Sequence, residues 1–223
     1  MAKMFIGGES VDSVTKNTSE VRNPATGATV DTVPQGNDKD VQQAIQAAED
    51  AFKVWSDVSP EDRGNALMNA GELIKKNAGE IAQLLTQEQG KTLFEAGLEI
   101  HHLVHGLEFY AGLASKVRGS HVPLPQKGAY GMVVRQPIGV CGGIVPWNFP
   151  LTLMGTKLGP ALAAGNTIII KPASTTPLAT VRAIELIQQA TFGEGKAQKQ
   201  LTKGALNILT RPGGTVREEI LPN

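Results

Sequence analysis

Apolar positions change period along the chain, and the changes divide it into stretches. Met4–Phe5–Ile6 and Glu9–Ser10–Val11 flank Gly7–Gly8, which predicts a tight hairpin. Asn23–Pro24–Ala25–Thr26–Gly27 reads as a turn, and Thr29 to Val33 as a strand. From Asn37 the spacing is helical: Val41, Ile45, Ala48, Phe52 and Trp55 share one face, leaving Lys39, Gln43, Glu49 and Lys53 for solvent. Ser59–Pro60 opens a second helix, and Asn77 with Glu80 caps a third that Gly90 stops. Thr92 with Glu95 forms a capping box for a long fourth helix stacking Leu93, Ala96, Ile100, Leu103, Leu107 and Ala111. Residues from about 37 to 115 therefore form a helical block around one face.

A strand arm follows over about 119–137. Gly119 to Gln126, with Pro123 and Pro125, reads as a loop, and Tyr130 to Arg135 as a strand. Ile138 to Val145 is then a short apolar run of the kind found in buried parallel strands, ended by Pro146. Pro150 precedes a helix of small residues closed by Gly165–Asn166, and Ile168–Ile169–Ile170 is a second β-branched run. Strand, helix and strand make a βαβ unit, which extends over about 138–223. A helix holds Ala179, Val181, Ala183, Ile184 and Ile187, and Ala205 to Leu209 is a third short strand. Thr191 to Thr202 lacks an apolar face, and its part from Phe192 to Gln200 reads as inserted. Thr210 to Thr215 reads as a loop, and Val216 to Leu221 as the start of a helix. The expected fold class is α/β, a partial doubly wound parallel sheet of three strands with a helical block and antiparallel N-terminal strands. The last strand is expected to be an open edge, which must pair with something.

Composition removes several classes of function. The 223 residues carry 21 basic and 21 acidic side chains, a formal net charge of +0 and 41% hydrophobic content. Mixed charge without aromatic–basic alternation argues against nucleic acid. No apolar run reaches membrane length, and the start is too soon polar for a signal peptide, so the expected location is the cytoplasm. One cysteine, Cys141, excludes an internal disulfide; inside a buried strand it reads as inert core. His101 and His105 share a helix face, but no third ligand is nearby in sequence, so no metal is expected.

Ligands of such folds bind beyond the carboxyl ends of the strands. Those ends carry Trp147–Asn148 and Lys171, an indole, an amide and a cation suited to a nucleotide. The surrounding residues carry a resemblance. Pro146–Trp147–Asn148–Phe149–Pro150, Lys157, Gly159–Pro160–Ala161–Leu162–Ala163–Ala164–Gly165–Asn166 and Lys171–Pro172 resemble the aldehyde dehydrogenase superfamily. Asn23–Pro24–Ala25–Thr26–Gly27, Gln89–Gly90–Lys91 and Arg135–Gln136–Pro137–Ile138–Gly139 fit it in the same order. Lys171–Pro172–Ala173–Ser174 is most similar to succinate-semialdehyde-type members, which points to that aldehyde.

The resemblance implies NAD- or NADP-dependent oxidation of a small-molecule aldehyde to an acid, by a Cys nucleophile, hydride transfer and a Glu that activates water. It assigns Asn148 to the oxyanion. It assigns coenzyme contacts to Ile144, Pro146, Trp147, Asn148, Lys171, Pro172, Ala173, Ser174 and Gly213. Many NAD-specific members have a Glu where Ser174 stands; Ser174 with Lys171 therefore predicts use of NADP at least as well as NAD. The family's nucleophile and base lie downstream of this sequence. That implies an N-terminal, coenzyme-binding part, inactive alone and without the catalytic domain. The alternative is an NAD(P)-binding subunit completed by a separate C-terminal half. Assembly is expected as a homo-oligomer through the strand near Tyr130 to Arg135, or with that complementing half.

Overall fold

The computed structural model describes residues 1–193, 195 and 198–211. In chain order the elements are β1 (Met4–Ile6), β2 (Glu9–Val11), β3 (Thr18–Arg22), β4 (Thr29–Pro34), α1 (Asp38–Trp55), α2 (Pro60–Lys76), α3 (Ala78–Gln89) and α4 (Leu93–Ala114). Then come β5 (Ser120–Pro123), β6 (Tyr130–Val133), β7 (Val140–Ile144), α5 (Pro150–Ala163), β8 (Thr167–Lys171), α6 (Leu178–Gln188), β9 (Thr191–Phe192), β10 (Lys199–Gln200) and β11 (Leu206–Ile208).

The central sheet has the order β2-β1-β11-β8-β7. Its three C-terminal strands are parallel, as the β-branched runs require, with Ile168 beside both Cys141 and Leu206. Side chains alternate across the sheet. Ile169 packs with Val41, Ala44 and Ala48 of α1 on one face, while Ile168 and Ile170 join the larger core of α2 to α6 on the other. The outer edge of β11 is not open, contrary to the expectation from sequence. Phe5 of β1 pairs antiparallel with Ile208, so the N-terminal hairpin closes that side. The edge strands of the described sheet are β2 and β7, and on the parallel side the edge is β7. Its Gly142 and Ile144 are exposed, and Cys141 is half-buried rather than buried.

Most helix ends follow their capping residues. Asn37 accepts from Lys39 and Asp40 N–H while Asp40 accepts from Asn37 N–H, and Thr92 with Glu95 does the same for α4. Gly90 ends α3 in the left-handed region at φ +90°. Asn77 differs from expectation. Its amide donates back to Leu73 O and makes no side-chain cap on α3. Leu93, placed by spacing on the buried face of α4, is exposed at the first turn. Gly119 to Gln126 is not simply a loop, because β5 pairs with β6 from Ser120 opposite Val133 to Pro123 opposite Tyr130. The segment that reads as an insertion opens as the β9–β10 hairpin. Phe192 is buried edge-on to Trp55, with ring centroids 6.0 Å apart and planes at 73°. Val216 to Leu221 lies outside the described residues.

α4 and α5 cross closely because Gly159 has no side chain. A Cβ there would lie 2.5 Å from Tyr110 Cδ2. Gly159→Ala should therefore destabilise the chain by about 1–3 kcal/mol in urea unfolding. Gly97→Ala, on an open face of α4 with nothing within 4 Å, should instead raise stability by up to about 1 kcal/mol. Equal effects from the two substitutions would show that the crossing does not depend on the glycine.

Candidate functional site

The site is built on the register of two parallel strands. Ile144 at the end of β7 pairs with Lys171 at the end of β8, and Val145 N–H donates to Lys171 O at 2.9 Å. The chain leaves β7 through Pro146–Trp147–Asn148–Phe149 into α5, and leaves β8 through Pro172–Ala173–Ser174–Thr175–Thr176–Pro177 into α6. The start of β7 is fixed by Asn166, whose Oδ1 accepts from Ile138 and Gly139 N–H at 2.7 and 3.1 Å. The far end of α5 is held by Trp55, which donates to Leu162 O, and by Arg63, which donates to Ala163 O.

Neither α5 nor α6 carries a side-chain cap from its own N-cap residue, Phe149 or Pro177. The orphan N–H groups of both helices go instead to buried carboxylates from the helical block. Glu99 of α4 accepts from Leu151 N at 2.7 Å and Thr152 N at 3.2 Å. Glu88 of α3 accepts from Leu178 N at 2.6 Å and Ala179 N at 2.9 Å. An anion at a helix N-terminus also meets the favourable end of the macrodipole. Glu99 pairs with Lys91, whose side chain is 8% exposed. Glu88 has no cationic partner among the described residues. Burial, with the Glu99 charge adding to it, pushes Glu88 up to about 8 against the pull of its two N–H donors.

The predicted residues are distributed as follows. Trp147, 59% exposed, and Ser174 line one cleft of about 710 Å³, with Thr175, Thr176, Glu88 and the β3 strand completing its walls. Thr176 Oγ1 reaches Trp147 O at 3.5 Å, linking the two loops. Asn148 is exposed; its carbonyl accepts from Lys91 Nζ at 3.1 Å. Lys171 is buried below the loops, and its ammonium donates to Pro172 O at 3.1 Å. Burial lowers the Lys171 pKa, and the Arg211 charge adds to that. Asn148 and Lys171 are not among the residues lining the 710 Å³ cleft. Ile144 and Pro146 are exposed, Pro172 is buried and Ala173 half-buried. Gly213 lies outside the described residues.

Cys141 packs its half-buried side chain against the main core, and burial raises its thiol pKa. His101, His102 and His105 are exposed on α4, and no group of three or more metal-ligating side chains is found among the described residues. No described helix is long and apolar enough to cross a membrane.

Glu88, Glu99 and Lys91 are the residues that motif reading passes over as contributors. A signal was present. Glu88 falls four residues after Leu84 and three after Leu85, and Glu99 lies between Ala96 and Leu103, so both carboxylates sit on apolar stripes. A charge on such a stripe requires a buried partner.

The model of the aldehyde dehydrogenase family matches residues 11–223. Betaine aldehyde dehydrogenase of Bacillus subtilis is 36% identical over 222 residues, 99% of this chain and 44% of that protein. Glutarate-semialdehyde dehydrogenase of Pseudomonas putida is 36% identical over 98% of this chain and 44% of its own length. Mitochondrial succinate-semialdehyde dehydrogenase of rice is 38% identical over 86% of this chain and 36% of its own length. Identities this similar do not separate the three aldehydes. Among solved structures, NAD+-bound betaine aldehyde dehydrogenase from Staphylococcus aureus superposes with a TM-score of 0.90 at 33% identity, over 99% of this chain and 42% of that one. The chain thus spans less than half the length of the curated relatives it matches. With the matched model covering nearly all of its residues, the chain belongs to the aldehyde dehydrogenase family.

Proposed function

We propose that this chain supplies the N-terminal, coenzyme-binding part of an enzyme that oxidises an aldehyde to a carboxylic acid with NADP or NAD. The observation that carries the reading is the Ile144–Lys171 pairing, which puts the Trp147–Asn148 and Lys171–Ser174 segments at neighbouring strand ends. The side chains suit a dinucleotide. Trp147 offers an exposed aromatic face, Ser174 an exposed hydroxyl, and Lys171 an ammonium with more donors than its bond to Pro172 O uses. The coenzyme, when bound, accepts the hydride. Asn148 would donate its side-chain N–H to the developing oxyanion, a contribution of about 3 kcal/mol to the transition state. The nucleophilic Cys and the base Glu belong to polypeptide outside these 223 residues, so the chain by itself turns over no aldehyde. Succinate semialdehyde is the substrate suggested by the Lys171–Ser174 run, and assembly is as a homo-oligomer or with a complementing C-terminal half.

Calorimetric titration of the purified chain tests this. NADP is expected to bind at least as tightly as NAD. Ser174→Glu should weaken NADP relative to NAD by about tenfold or more, because a carboxylate repels the 2′-phosphate. Absence of binding by either coenzyme would overturn the reading. Aldehyde-dependent formation of NADPH or NADH by the chain alone would overturn its inactivity.

A further inference from the structure

We propose that Lys91 is a positioning residue for the Trp147–Asn148–Phe149 segment. Its ammonium makes three contacts of different kinds. It pairs with Glu99, it donates to Asn148 O at 3.1 Å, and it lies 4.5 Å from the centroid of the Phe149 ring. The ion pair is nearly dry, with side-chain exposures of 8% for Lys91 and 0% for Glu99, so water is a poor substitute for Glu99, while the Asn148 carbonyl and the Phe149 ring meet the ammonium on its exposed side.

The contacts converge on one short stretch of backbone. Glu99 holds the first turn of α5 through Leu151 and Thr152 N–H, immediately after Phe149 and Pro150. Lys91 is fixed to the same carboxylate and from there grips the residues just before the helix. Helix start and preceding loop are thus referred to a single buried ion pair on a different part of the chain. Holding the Asn148 carbonyl sets the orientation of the peptide plane between Asn148 and Phe149, and hence the direction in which the loop leaves for α5. Lys91 thereby sets where the Asn148 amide and the Trp147 ring are presented, and what those two groups do rests on the oxyanion and coenzyme reading above. A lysine that merely neutralised Glu99 would need neither the Asn148 carbonyl nor the Phe149 ring.

The test uses the full chain labelled with 5-fluorotryptophan, which gives one 19F resonance for buried Trp55 and one for exposed Trp147, assigned with Trp147→Phe. Lys91→Met is compared with the double variant Lys91→Met, Glu99→Gln, which leaves no unpaired charge behind and keeps an acceptor for the α5 N–H groups. The expected result is a Trp147 line displaced by more than its width in both variants, with the Trp55 line unmoved. NADP binding should weaken by about tenfold, the loss expected for one charged hydrogen bond. A Trp147 line that stays in place in a folded variant overturns the proposal. So does a double variant in which the Trp55 line moves as well, because Lys91 would then act on the whole fold. If the wild-type chain binds no coenzyme, the functional reading fails, while the displacement of the Trp147 line still decides whether Lys91 positions the loop.

Discussion

Glu99→Ala is expected to lower the unfolding free energy of this chain by about 4 kcal/mol, measured by urea denaturation at pH 7. The substitution removes two things at once. Lys91 keeps its charge in a site where only 8% of its side chain reaches solvent, now without its carboxylate. Leu151 and Thr152 lose the acceptor of their N–H groups at the start of α5, where the local sequence supplies no cap of its own. Each loss alone is of ordinary size, but both fall on a buried group, and an uncompensated buried charge costs far more than a missing surface pair. Glu99→Gln should be milder, because an amide oxygen still accepts from the helix. The combination with Lys91→Met should be more stable than the sum of the two single changes predicts, since it removes both charges together. If Glu99→Ala stays within about 1 kcal/mol of the wild type, the pair does not hold α5 in place.

The parts of the fold that were legible in the sequence are those fixed by neighbours in the chain. Capping at Asn37, Ser59 and Thr92 depends on residues two or three positions on, and each of these helices starts there. Ile168–Ile169–Ile170 can only be a strand covered on both faces, which is how it is found. Pairings between distant segments left no such mark. The closure of β11 by β1 joins Phe5 to Ile208, and three apolar residues near the N-terminus say nothing about which strand they will meet. β5 escaped notice for a different reason. Its four residues are all exposed, so no buried face imposed an alternating pattern on Ser120–His121–Val122–Pro123.

The candidate site divides the same way. That Trp147–Asn148 and Lys171–Ser174 follow the ends of neighbouring parallel strands was legible because the strands were. The framework that holds those loops was not, because it reaches them from α3 and the start of α4. Asn77 shows the limit of a local rule: with an amide free to turn back to Leu73 O, the cap signature of Asn77 with Glu80 did not form.

Glu88 leads to the second large effect, and its sign is opposite to that of an ordinary ion-paired carboxylate. Burial raises its pKa from 4.5 to about 8 in the folded chain. Between those two values the folded state holds a proton that the unfolded state has released. The stabilisation is therefore fully present below about pH 4.5 and is lost as pH rises through about 8, a change of roughly 5 kcal/mol for this residue alone. Exposed carboxylates paired with lysines, such as Glu9 with Lys203 and Asp50 with Lys53, act in the acid range in the other direction, so the clean measurement is a difference. Urea midpoints from pH 5 to 9 should fall more steeply for the wild type than for Glu88→Gln, which keeps size and an acceptor but cannot ionise. Parallel profiles would mean that Glu88 is ionised throughout and that its two helix N–H donors outweigh its burial. The two caps differ in their partners: Glu99 has Lys91 against it, while among the described residues Glu88 meets only N–H dipoles and the charge of Glu99 itself. Charging Glu88 strengthens its bonds to Leu178 and Ala179 N–H, so what is lost with rising pH is the cost of holding a buried charge and not the hold on the first turn of α6.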